Sequence, residues 1–177
     1  RKLSLLVWHR VEDLIATTAE ETIRNRHENG AKLETLSREE HWRFTFDGNA
    51  FPACLDDLVA RSRLFVNPNK HAFRIVDEPE DGRAHPGAIV RVRNREDIEG
   101  ATAMHSLRPL AGTEELTDVV FETVWFVRLA PSVEPDEIAS LVESYAVTHT
   151  RHDGLLVNPH FQDWSLTVVP GTRGARA

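Results

Sequence analysis

The chain has 177 residues, of which 41% are hydrophobic and 28% charged, and these fractions exclude a disordered chain and predict one ordinary globular domain or two small ones. Its formal net charge of −7 predicts no nucleic-acid partner, because neutralising phosphates requires clustered lysine and arginine. The single cysteine, Cys54, excludes an internal disulfide and favours a cytoplasmic location, and the lack of any apolar run of about 18 residues excludes a membrane-spanning helix.

The first half of the chain predicts strands and helices in alternation. Apolar residues at every second position predict strands, and apolar residues at helical spacing predict helices. In the clearest strand Trp42 and Phe44 alternate with polar residues such as His41, so this strand is expected to be buried on one face only. The predicted elements are a strand over 3–7, a helix from Asp13 to about Asn29, a weak strand over 31–36, a strand over 42–46, a helix over 50–64 and a strand over 72–76.

The second half repeats this order after a polar linker over 78–87, which contains two prolines and two glycines. A helix over 96–107 is weakened by Gly100, because glycine is a poor helix former. The remaining predictions are a strand over 89–92, a loop over 109–117, a strand over 119–129, a helix over 135–148, a final strand ending at 169 and a disordered tail over 170–177.

Two of the predicted helices have a defined apolar face. The first helix is expected to end at a cap formed by Asn29-Gly30. Its expected buried residues are Leu14, Ile15, Ala19 and Ile23, and those of the helix over 135–148 are Ile138, Leu141, Val142 and Tyr145.

One stretch of sequence occurs twice. LFVNPNKHAFRIV over 64–76 matches LLVNPHFQDWSLTVV over 155–169, so that Asn67-Pro68 falls on Asn158-Pro159. In the same alignment Phe73 and Ile75 fall on Trp164 and Leu166. Such a self-match predicts an internal duplication. We therefore expect two β-α-β-β-α-β modules, over residues 1–77 and 88–169.

The repeated segment resembles a known family. The residues Leu155-Leu156-Val157-Asn158-Pro159, followed by an alternating strand, resemble the C-terminal end of PurS, the small subunit of bacterial and archaeal phosphoribosylformylglycinamidine synthase. The segment over 64–75 resembles the same ending. The resemblance implies an α+β chain of two PurS-like, ferredoxin-like modules packed as a pseudo-dimer.

The resemblance also implies a function. PurS has no known catalytic residues and bridges the synthetase and glutaminase subunits, so those subunits are the expected partners, together with self-association as a further option. No cofactor and no catalytic residue of its own are expected. The family usually has a Gly-Lys pair between its second and third strands, where this chain has Ser37-Arg38 and Glu122-Thr123. The alternative is a stand-alone small-molecule-binding domain or small enzyme that uses a cleft between the modules.

Three residues are candidates for binding a partner or ligand, namely Asn67, Asn158 and His160. The amides of the two asparagines could face a partner. The competing interpretation is that Asn-Pro only ends a helix and begins a turn, because the residue before proline avoids the helical region.

A group of histidines suggests a metal site less strongly. His149, His152 and His160 lie near Asp153, and imidazoles with a carboxylate are ligands that zinc accepts. Their spacing does not place two rings on one helical face, and solvated loop histidines are the favoured interpretation. No metal site is therefore predicted.

Overall fold

The computed structural model describes residues 1–47, 59, 62–77, 87–110, 114–150 and 153–169. These residues form a mixed α+β structure with one six-stranded antiparallel sheet. None of their helices is both long and apolar enough to cross a membrane. The strands are β1 (Lys2–His9), β2 (Leu33–Phe46), β3 (His71–Val76), β4 (Gly87–Asn94), β5 (Leu116–Leu129) and β6 (Gln162–Val169), and the helices are α1 (Leu14–Arg26), α2 (Ile98–Leu107) and α3 (Ile138–Ala146), with a 3₁₀ turn over Gly30–Lys32.

The strand order in the sheet is β3-β1-β2-β5-β4-β6. β1 pairs antiparallel with both β2 and β3, so that Leu5 lies opposite Trp42 on one side and Ile75 on the other. β4 pairs antiparallel with β6, with Val90 opposite Leu166. The first strand of each half therefore lies between two others, and β3 and β6 form the edges.

A single long strand replaces the two strands that the sequence predicted over 31–36 and 42–46. β2 continues without a break through its polar middle, and β5 has the same length of 14 residues. Among the described residues each half thus contributes three strands, and the predicted pair of central strands is corrected to one. The helix predicted over 50–64 and the tail over 170–177 lie almost wholly outside the described residues, as does the linker except for Gly87.

The chain divides into two compact units, and each unit contains segments from both halves. The first unit comprises Arg1–Glu12, Glu39–Pro79 and Glu96–Thr123, and the second comprises Asp13–Arg38, Glu80–Arg95 and Val124–Ala177. Helix α1, from the first half of the sequence, belongs to the second unit. Helix α2, from the second half, belongs to the first unit. The module boundaries expected at 77 and 88 stay a prediction.

The core of the first unit packs α2 against strands from both halves. Gly100 on α2 is required for this packing, because a Cβ at this position would lie 2.4 Å from the carbonyl oxygen of Val119. The glycine that weakens α2 in the sequence therefore permits the helix to approach β5. The main buried residues are Leu3, Leu5, Val7, Trp42, Phe44, Phe46, Val59, Phe65, Ala103, Leu107, Leu116 and Val119.

The core of the second unit packs α1 and α3 against the sheet. The predicted face of α3 is confirmed, since Ile138, Leu141, Val142 and Tyr145 are all buried. The predicted face of α1 is wrong at its start, because Leu14 and Ile15 are 70% and 57% exposed while Ala16, Ala19 and Ile23 are buried. Asp13 caps α1 by accepting hydrogen bonds from the amides of residues 15 and 16, and this fixes Ala16 as the first inward position.

Candidate functional site

Asn67 organises a tight turn at the entrance to β3. Its side-chain Oδ1 accepts a hydrogen bond from the amide of Asn69 at 3.0 Å. Its carbonyl oxygen accepts from the amides of Lys70 and His71 at 3.0 and 2.8 Å, and its own amide donates to Nδ1 of His71 at 3.3 Å. The turn therefore uses the side-chain oxygen, the carbonyl and the amide of Asn67.

Asn158 organises the same turn at the entrance to β6. Its Oδ1 accepts from the amide of His160 at 3.1 Å, and its carbonyl accepts from the amides of Phe161 and Gln162 at 3.1 and 3.0 Å. Its own amide donates to Oε1 of Gln162 at 2.8 Å. Each residue of this turn lies 91 positions after its counterpart, from 67 to 158 and from 71 to 162.

Both turns are also tied to the strand beside them in the same way. The amide of Arg10 donates to the carbonyl of Lys70 at 2.8 Å, and the amide of Arg95 donates to the carbonyl of Phe161 at 3.0 Å. In the second turn the guanidinium of Arg95 adds bonds to the carbonyls of Pro159 and His160, both at 3.1 Å. The same backbone bond thus anchors each turn at the end of a sheet edge.

The predicted site residues therefore have defined places. Asn67 belongs to the first unit, while Asn158 and His160 belong to the second. All three are exposed, but the asparagine oxygens are engaged within the turns. The expectation that Asn-Pro begins a turn is confirmed, whereas the expectation that it ends a helix is wrong at Asn158, because α3 already ends at Ala146. Binding of a partner or ligand by these residues stays a prediction.

The histidines near 150 do not form a metal cluster where the structure describes them. His149 Nε2 lies 3.7 Å from Glu143 Oε1, and both side chains are about half exposed. His152 lies outside the described residues. Across the described ranges, no group of three or more histidine, cysteine, aspartate or glutamate side chains has the arrangement of a metal site.

Sequence reasoning missed a buried polar pair on β2. His41 Nε2 lies 3.3 Å from Glu39 Oε2, and the two residues are 5% and 7% exposed. The strand was expected to be buried on one face only, and this is wrong at His41, which lies on the face opposite Trp42. Leu6 lies directly opposite His41 on β1. The sequence could have indicated the burial of His41 through this residue, because an apolar residue between Leu5 and Val7 indicates that both faces of the strand are buried.

An imidazole and a carboxylate at this distance can exchange a proton. The pair has an ionic neighbour on the same strand, since Arg43 reaches across to Glu122 on β5 at 3.1 Å. Ser4, directly opposite Arg43 on β1, is also buried. The first unit therefore contains a polar row on the sheet face opposite its apolar core, and this row is buried at Ser4, Glu39 and His41 but partly exposed at Arg43.

A shallow groove of about 440 Å³ lies on the second unit, within the size range of small-molecule sites. Its main charged group, Arg24, is already engaged, because it forms an ion pair with Glu20 at 2.8 Å and donates to the carbonyl of Leu33 at 3.3 Å. A ligand would have to displace these bonds. The groove is lined by Arg24, Ala31, Leu33, Glu34, Ala130 and Pro131.

Comparison with known proteins gives no assignment, since no family model matches the chain and no curated protein is detectably similar to it in sequence. The strongest candidate for a functional feature is therefore a geometric one. It is the pair of equivalent Asn-Pro turns, each located where an edge strand begins.

Proposed function

We propose that this protein is a PurS-like, non-catalytic subunit of phosphoribosylformylglycinamidine synthase that bridges the synthetase and glutaminase subunits in the cytoplasm. The observation that carries the proposal is the pair of Asn-Pro turns. The segment that resembles the end of PurS occurs twice, and the Asn67 and Asn158 turns have hydrogen bonds at the same positions, except that the asparagine amide donates to a different side chain, that of His71 or Gln162. Similarity in local structure supports a duplication more strongly than sequence similarity alone.

A duplicated PurS-like module accounts for further equivalences. β2 and β5 begin 83 positions apart, at Leu33 and Leu116, and have the same length. Asp13 and Asp97 both cap the helix that follows the first strand of their half. In the proposal the two modules form a pseudo-dimer within one polypeptide, and each has one strand fewer than the ferredoxin-like outline.

The turns are suited to partner binding rather than to chemistry. Hydrogen bonds within each turn engage the oxygens of Asn67 and Asn158, so these groups are held for structure. Next to His160, the side chain of Phe161 is 70% exposed. An exposed aromatic residue at a rigid turn is typical of an anchor in a protein interface. Phe161 gives the second turn such an anchor, and Lys70 takes its place in the first turn, so the two turns could contact two different partners.

Copurification tests the proposal. Tagged full-length protein is expected to retain the synthetase and glutaminase subunits of its own organism, and Phe161→Ser is expected to weaken that retention. Ile15→Ser is the matched control, because Ile15 is an apolar side chain of the same unit and is 57% exposed. Deletion of the gene is expected to create a purine requirement for growth.

Two results together would contradict the proposed bridging function. If neither subunit copurifies and the deletion strain grows normally without purines, the bridging function is wrong. The alternative expected from the sequence, a stand-alone small-molecule-binding domain or small enzyme, would then become the hypothesis to test.

A further inference from the structure

The two Asn-Pro turns differ in one hydrogen-bond acceptor. The amide of Asn158 donates to an amide oxygen, Oε1 of Gln162, at 2.8 Å. The amide of Asn67 donates to an imidazole nitrogen, Nδ1 of His71, at 3.3 Å. A glutamine side chain does not titrate around neutral pH, whereas the ring of free histidine gains its second proton at pH ~6.5. The first turn thus contains a titratable acceptor and the second does not.

Protonation would convert this acceptor into a donor. In the bond from Asn67, Nδ1 of His71 carries no hydrogen, so the neutral ring has its hydrogen on Nε2. The imidazolium form carries hydrogen on both nitrogens. The amide of Asn67 and the Nδ1–H of His71 would then be two donors facing each other, and this bond would be lost.

Several basic groups lie near His71 on β1 and in the turn. On β1, the ring of His9 packs edge-on against the ring of His71, with the centroids 4.7 Å apart, and Arg10 follows His9 in the chain. In the turn, Lys70 precedes His71. Protonation of His71 would therefore add a positive charge beside other basic groups.

We propose that the Asn67–His71 turn is a pH-sensitive entrance to the edge strand β3, whereas the Asn158–Gln162 turn holds β6 independently of pH. At neutral pH the imidazole closes the first turn. When the pH is low enough to protonate His71, the amide of Asn67 loses its acceptor, and the turn opens more often. The chain therefore has one edge corner that responds to mild acid and one that does not.

Amide hydrogen exchange measured by NMR on the full chain tests this proposal. The variant His71→Gln gives the first turn the acceptor that the second turn already has. The intrinsic exchange rate of the Asn67 amide is set by its adjacent residues, so the ratio of wild-type to variant rates reports the hydrogen bond alone. We expect a ratio near 1 at pH ~7.5 and about 5 at pH ~5, the factor expected for one typical hydrogen bond.

Two controls accompany this measurement. The Asn158 amide should exchange at equal rates in wild type and variant at both pH values. In His9→Gln the pH response of Asn67 should persist. Equal Asn67 rates in wild type and His71→Gln at pH ~5 would overturn the proposal, and so would disappearance of the response in His9→Gln.

Discussion

Arg38 donates a hydrogen bond from Nε to Oδ2 of Asp13 at 2.7 Å, and the two side chains are only 14% and 12% exposed. The same carboxylate caps α1 through Oδ1. One residue therefore begins the helix and attaches it to the polar middle of β2. At the equivalent position Asp97 caps α2 and accepts from the backbone amide of Phe121 at 2.9 Å.

Loss of the Arg38 side chain should be costly because it removes a guanidinium that is paired with a largely buried carboxylate. Arg38→Met is expected to lower the free energy of unfolding by about 3 kcal/mol. Asp13→Ser retains a helix cap but leaves the largely buried Arg38 guanidinium without this carboxylate, and it should also cost about 3 kcal/mol. Urea unfolding of the double variant should show a cost well below the sum of the two, and simple additivity would contradict the coupling.

Gly100→Ala should destabilise the protein even though alanine is the better helix former. The added Cβ would lie 2.4 Å from the carbonyl oxygen of Val119, which requires α2 to move away from β5. We expect a net loss of about 2 kcal/mol in the free energy of unfolding. Thr102→Ala on the exposed side of α2 is the control and should be neutral or slightly stabilising.

Tyr145 should titrate at unusually high pH. Burial raises the pKa of its hydroxyl from 10.0 to about 12, and the hydroxyl donates to the carbonyl of Asn29 at 2.6 Å. It is the one tyrosine in the chain, so tyrosinate absorbance at alkaline pH reports this group alone. The midpoint should fall to about 10 in denaturant.

The raised pKa of Tyr145 means that the free energy of unfolding decreases at alkaline pH. The folded state favours the neutral hydroxyl, so this contribution is complete below the unfolded pKa and is lost as pH rises from about 10 to about 12. Tyr145→Phe should remove this part of the slope and cost about 1 kcal/mol at neutral pH. A wild-type titration midpoint near 10 would show that the hydroxyl is not desolvated.

The pair of Glu39 and His41 should be replaceable as a unit but not singly. His41→Leu leaves the buried Glu39 carboxylate without its imidazole neighbour and should cost about 2 kcal/mol. The double variant Glu39→Leu, His41→Leu replaces both groups with apolar ones and should recover most of that loss. Glu40→Leu on the same strand controls for leucine substitution as such. Chemical denaturation at neutral pH measures each variant.

Much of the fold could be predicted from local pattern. The buried face of α3 and the alternation of Trp42 with His41 are properties of the sequence near each residue, as is the Asn67 turn. The continuity of β2 was not predictable in this way, because the polar residues over 37–40 indicate an interruption. The strand continues since partners outside it satisfy these residues, as where Arg38 Nε donates to Asp13 Oδ2 at 2.7 Å.

Some features of the candidate site could likewise be predicted from local sequence, and others could not. Asn-Pro specifies a turn through its own backbone restrictions. The acceptor supplied by residue 71 or 162 depends on the rotamer of a side chain four positions later, which no local rule fixes. Burial of His41 depends on both faces of the sheet being covered, and Leu6 is the one residue whose sequence position indicates this.

Each unit is assembled from segments that are distant in the sequence, and this determines when the unit can be completed during synthesis. The first unit needs α2 and the first part of β5, which extend to Thr123, so it cannot be complete when only the first 77 residues have left the ribosome. Its amino-terminal strand must wait for a segment made about a hundred residues later. Long sequence separation slows folding and prolongs exposure of apolar strands. A nascent chain of this protein is therefore expected to depend on chaperones until its second half has emerged.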